Sequence, residues 1–86
     1  MQLKKGFVLR NLAGTNVVVP TGEDLNLNIM ITLNETGKLL WERLEKGAEQ
    51  EELVAALLQE YDVDEQTATD HVAIFVGKLI EKGILA

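Results

Sequence analysis

Residues 25 to 33 alternate strictly. Leu25, Leu27, Ile29, Ile31 and Leu33 are separated by Asn26, Asn28, Met30 and Thr32. A period of two predicts a half-buried strand over 25–33, with the leucines and isoleucines on its core face. Two shorter apolar segments come before it. Residues 7–12, with Phe7, Val8 and Leu9 leading, and residues 16–19, with Val17, Val18 and Val19, suit a pleated surface. Ala13-Gly14-Thr15-Asn16 forms the turn between them, Pro20 stops the second strand, and Thr21 to Asp24 make the next turn. Strands joined by turns this short predict an antiparallel meander with the second strand in the centre. The first and third strands are then edges. No proline or charge between Leu25 and Leu33 blunts the third.

Past residue 33 the pattern changes to helical spacing. Asn34 is a good N-cap for a helix over 35–46, in which Leu39, Leu40 and Leu44 make a stripe with Trp41 beside them and Gly47 follows as terminator. A second helix over 49–61 has Glu49, Glu51 and Glu52 in its first turn and Leu53, Val54, Leu57, Leu58 and Tyr61 as its buried face. Asp64 caps a third helix over 65–82, with Ala68, Val72, Phe75, Val76, Leu79 and Ile80 as its stripe. Gly83 stops that helix, and Ile84-Leu85 are expected to fold back onto the core. The fold class is therefore α+β: a three-stranded antiparallel sheet followed by a three-helix bundle, read as one domain over 1–86.

Composition removes most chemistry. The chain has no cysteine, no serine and one histidine, His71. Disulfides, thiolate metal sites and serine or cysteine nucleophiles are absent together. One histidine among scattered carboxylates does not make a metal site, and no phosphate loop occurs, so neither metal nor cofactor is expected. The reading is not an enzyme. No apolar run approaches the ~20 residues that span a bilayer. Arg10 and Asn11 interrupt any signal-peptide core after Lys4 and Lys5, which predicts a cytoplasmic protein without membrane attachment. Three basic side chains face two acidic ones before residue 34, and five face twelve after it. Such an acidic helical half repels phosphate backbones, so nucleic acid is not an expected partner.

The third helix has a second face. At ~100° per residue, Phe75, Val76 and Leu79 lie within about 60° of Val72, whereas Ile74 lies opposite, near Thr67, His71 and Lys78. If the third strand runs beside this helix, the two frame a groove with polar and apolar walls. An extended peptide can add to the free strand edge there, with main-chain bonds setting register and side-chain pockets giving selectivity. The alternatives are a protein–protein adaptor or homodimer that uses the same edge and, disfavoured by the acidic third helix, a winged-helix nucleic-acid binder.

Several segments carry a family resemblance. They are Leu33-Asn34-Glu35-Thr36-Gly37, Leu40-Trp41 with Leu44, Gly47, Glu52-Leu53, Leu57, Tyr61-Asp62-Val63, Ala68, Asp70-His71-Val72, Phe75, Leu79 and Gly83-Ile84-Leu85. In this order and spacing they resemble the PqqD-like family, named for protein D of pyrroloquinoline quinone biosynthesis, over about two thirds of the chain. One departure follows Gly47. Ala48-Glu49-Gln50 stand where the family often has a threonine cap, which predicts a ragged start to the second helix. The resemblance implies a winged-helix-like recognition element for ribosomally made, modified peptides. It implies a free-standing, non-catalytic chaperone that binds a precursor-peptide leader along the third strand against the third helix. It further implies presentation of that leader to a modifying enzyme such as a radical S-adenosylmethionine protein. Carried onto this chain, the implied peptide-binding residues are Leu27, Asn28, Ile29, Met30 and Ile31 on the strand and Asp70, His71, Ile74 and Lys78 on the helix.

Overall fold

A computed structural model of the chain describes residues 1–21 and 30–85. Strand β1 (Phe7–Leu12) pairs antiparallel with β2 (Thr15–Pro20), and β2 pairs antiparallel with β3 (Ile31–Leu33). The sheet order is β1-β2-β3, so β2 is central as the short turns predict. Three helices follow: α1 (Glu35–Glu45), α2 (Gln50–Glu60) and α3 (Glu65–Glu81). The α+β reading of the sequence holds. The third strand differs from its expected extent. Residues 25–29 of the expected strand lie outside the described residues, and Met30 precedes β3 instead of belonging to it.

The first turn is tighter than expected. Leu12 pairs with Thr15, which leaves only Ala13 and Gly14 in the loop. Both have positive φ, +54° and +85°, the signature of a type I′ turn. Gly14 takes this at no steric cost, while Ala13 carries a Cβ into the left-handed region. The Gly14 N–H donates to Asn11 Oδ1 at 3.2 Å, and Asn11 Nδ2 donates to the buried Asn16 at 3.2 Å, so a side-chain pair braces the hairpin.

Local chemistry also sets the helix ends. Asn34 Oδ1 accepts from the Gly37 N–H at 2.8 Å, and Asp64 Oδ1 accepts from the Thr67 N–H at 2.7 Å. The expected ragged start of α2 is corrected. The Glu52 carboxylate accepts from the Glu49 N–H at 3.1 Å, so two glutamates do the work of a threonine cap. At the end of α3, Gly83 (φ +75°) lets the Ile84 N–H reach the Leu79 carbonyl at 2.8 Å while the Gly83 N–H reaches that of Ile80 at 3.0 Å. That paired closure turns the chain inward. Ile84 and Leu85 are buried as expected, and Leu85 bridges to Leu3.

The core joins the inner face of the sheet to all three helices. Val18, Ile31 and Leu33 meet Leu40, Trp41, Leu44, Leu53, Leu57, Val72, Val76 and Leu79. Trp41 is fully buried, and its indole N–H has no partner among the described residues. Three expected core residues are corrected. Leu58, Tyr61 and Ile80 are exposed, and Ala56 takes the inward position on α2. On α2 the buried set is Leu53, Ala56 and Leu57, an i, i+3, i+4 stripe that leaves Leu58 about 140° round the helix from Leu53.

Two predictions follow from the turn and the cap. Ala13→Asn gives the Asn-Gly pair that a type I′ turn favours. It raises stability by about 1 kcal/mol, or roughly 4–8 °C in melting midpoint, read by thermal denaturation. Hydrogen bonds from Thr67, the backbone one first and then the side-chain one, hold the exposed Asp64 carboxyl below its usual range. The ionised cap favours the folded state, so its contribution is complete above the ordinary carboxylate value and fades as pH falls through the lowered one. Asp64→Ala therefore melts below the parent at neutral pH, and the gap closes as melts are repeated toward strong acid.

Candidate functional site

β3 has β2 on one side only. Among the described residues no strand pairs with its other edge. Ile31 and Leu33 point into the core while Thr32 stands exposed between them, the alternation a half-buried strand requires. The strand stops at Leu33 because Asn34 caps a helix that begins one residue later. Strand edge and helix start are therefore adjacent by construction.

An open groove of about 450 Å³ lies at this junction. One wall comes from Thr32, Leu33 and Asn34 at the end of the strand. The floor is Thr36, Gly37 and Leu40 on α1, and the far wall is His71, Ile74, Phe75 and Lys78 on α3. Gly37 keeps the floor low. A Cβ there would meet Asn34 Oδ1 at 3.3 Å and the Leu33 side chain at 3.4 Å. Ile74 is 71% exposed, the most accessible large apolar side chain among the described residues. Phe75 is half-buried, packing against the core on one side and lining the groove on the other. The surface is thus apolar at its centre, with threonine and asparagine along one rim and two basic side chains along the other.

The strand and helix candidates fare differently. Leu27, Asn28 and Ile29 lie outside the described residues. Met30 is 43% exposed but does not line the groove. Ile31 turns its side chain into the core, so only its backbone faces the strand edge. On α3, His71, Ile74 and Lys78 come together in one wall. Asp70 does not join them. It lies about 100° round the helix from His71 and accepts a hydrogen bond from Gln66 Nε2 at 2.9 Å. Thr32, Leu33, Asn34, Thr36, Gly37, Leu40 and Phe75 were not among the sequence candidates. Phe75 could have been found from its place at the margin of the core stripe, where a large ring spans both faces.

Among the described residues that line the groove, the hydroxyls belong to Thr32 and Thr36, and among the described residues no carboxylate hydrogen-bonds to His71. No group of three or more candidate metal ligands occurs among the described residues. No helix among them is long and apolar enough to cross a membrane.

No curated protein matches the chain in sequence. Among solved structures, the chain is similar to TbiB1 in complex with the TbiA(beta) leader peptide. The TM-score is 0.80 and the identity 27%, over 99% of this chain and 94% of that one. It is also similar to a lasso peptide synthetase B1 complexed with the leader peptide, with a TM-score of 0.75 and 25% identity, over 96% of this chain and 93% of that one. The family model for coenzyme PQQ synthesis protein D (PqqD) matches residues 7–85, from the first residue of β1 to the Leu85 bridge. A match across all three strands and all three helices settles kinship as well as shape: the chain belongs to the PqqD family.

Proposed function

We propose that this chain is a non-catalytic peptide-binding protein. It takes a precursor-peptide leader as an added strand on the free edge of β3, against the outer face of α3, and presents it to a modifying enzyme. The observation that carries this reading is the groove between that edge and the His71–Ile74–Lys78 wall. The two similar structures, each complexed with a leader peptide, support the choice of ligand. The peptide contacts are the backbone of Ile31, Thr32 and Leu33 and the side chains of Thr32, His71, Ile74, Phe75 and Lys78.

Energetics divides the labour between the walls. A three-residue edge offers few main-chain hydrogen bonds, each contributing only ~1 kcal/mol net. Those bonds fix register but give no selectivity. Covering Ile74 and the exposed part of Phe75 adds about 1.5–3 kcal/mol for a well-seated apolar side chain. Ordering a flexible leader costs much of this, which leaves roughly micromolar affinity for an isolated peptide. Binding of that strength allows release to the enzyme that follows.

The test is a nuclear magnetic resonance titration of the labelled chain. The probes are synthetic peptides from the short reading frames that neighbour its gene. Amide shifts are expected in residues 31–34 and 71–78. Ile74→Asp, at an exposed position, is expected to keep the parent melting curve and weaken binding about 10- to 100-fold. Shifts confined to β1 or α2, or an unchanged affinity for the Ile74 variant, would overturn the assignment. A light-scattering series showing a tight dimer that dissociates only when Thr32→Pro breaks the edge would instead favour self-pairing.

A further inference from the structure

The groove carries charge of the opposite sign to the molecule that holds it. The chain has a formal charge of −6, with most of its acidic side chains on the helical half. Among the described residues that line the groove, His71 and Lys78 are basic and none is acidic. Asp70 and Glu35, each next in sequence to a lining residue, are not part of that lining. Asp70 is occupied by Gln66, and Glu35 lines a separate depression with Lys38 and Glu42. Neither the Lys78 ammonium nor the His71 ring has a hydrogen-bond or ion-pair partner among the described residues. An unpaired lysine over an apolar floor, in a protein rich in carboxylates, is available to a ligand.

Spacing sets the position it can read. Ile74 and Lys78 are four residues apart, about 6 Å along the helix axis at 1.5 Å per residue. Side chains on one face of an extended strand repeat every ~6.8 Å. A strand laid along α3 with one side chain over Ile74 therefore puts its next same-face side chain beside Lys78. Resting on the peptide-binding reading above, we infer that the groove selects leaders with an aspartate or glutamate two residues from a bulky apolar anchor. Lys78 reads that carboxylate, and Ile74 with Phe75 seats the anchor. The preference is local. Carboxylates elsewhere on the peptide meet the acidic surface of the chain and are disfavoured, because charges closer than the Debye length of roughly 8–10 Å are only partly screened at ordinary ionic strength.

A displayed library of short random peptides, sorted against the labelled full chain and against Lys78→Glu and Lys78→Met, tests this. The parent is expected to enrich Asp or Glu two residues from a Leu, Ile, Phe or Tyr, and at no other position. Lys78→Glu is expected to keep the apolar anchor and exchange the acidic residue for Lys or Arg. Lys78→Met is expected to keep the anchor and lose the charge preference. A peptide selected on the parent should bind Lys78→Glu about tenfold more weakly. Apolar anchors with no acidic position on the parent, or the same acidic enrichment on Lys78→Glu, would overturn the inference while leaving peptide binding intact. If nothing is enriched on any of the three, the peptide-binding reading fails and the inference fails with it. Matching far-ultraviolet dichroism of the variants verifies their fold, and the methionine variant serves alone if the glutamate one unfolds.

Discussion

The helix cap at Asn34 joins sheet and bundle where the groove forms. Asn34 Oδ1 accepts from the Gly37 N–H at 2.8 Å, and the Asn34 carbonyl accepts from Lys38 at 2.9 Å. The chain passes from edge strand to helix through this single residue. Leu33, just before it, is anchored in the core, and Gly37, three residues after it, has no Cβ to press on Asn34 and Leu33. A looser connection would let α1 swing away, and the strand edge would then face open solvent without a floor beneath it. An edge in that condition invites pairing with any extended chain. The cap therefore turns a general liability into a confined slot.

The opposite wall depends on α3 serving two environments. Ala68, Val72, Val76 and Leu79 lie in the core, while His71, Ile74 and Lys78 stand outside it and Phe75 bridges the two. Both ends of the helix are secured, by the Asp64 cap and by the closure through Gly83 that buries Ile84 and Leu85. A wall held at both ends loses little freedom when a ligand arrives. Most of the ordering cost then falls on the peptide.

The sequence revealed what local physics decides. Caps at Asn34 and Asp64, terminating glycines at 47 and 83 and the alternation through Ile31–Leu33 each depend on near neighbours, and each stands where the pattern put it. The odd face of α3 was legible for the same reason, since Ile74 falls opposite Val72 whatever the helix packs against. What could not be read was set by global packing. A wheel shows that Leu58 and Ile80 are apolar, but which arc of α2 or α3 meets a neighbour depends on how the helices cross. Periodicity also marks the faces of a strand without marking where its edge becomes usable. The expected binding margin was Leu27 to Ile31; Leu27, Asn28 and Ile29 lie outside the described residues, and the described lining of the groove begins at Thr32. Finding Thr36 and Gly37 in its lining required knowing that the cap folds α1 under the strand.

This arrangement separates the residues that make the slot from those that can tune it. Leu33, Asn34 and Gly37 have little freedom to change, because each is fixed by the core, by the cap or by a close approach. His71, Ile74 and Lys78 contribute to the groove while standing clear of the buried cluster. Exposed substitutions of that kind usually shift stability by no more than about 0.5 kcal/mol, less than the 1.5–3 kcal/mol that a seated side chain contributes. Ligand preference can thus change through α3 at almost no expense to the fold. A peptide ladder along β3, as proposed, would not discriminate in this way, since its bonds are to a backbone that peptides share. In the proposed binding mode specificity resides mainly on the helix, and the edge strand holds what the helix admits.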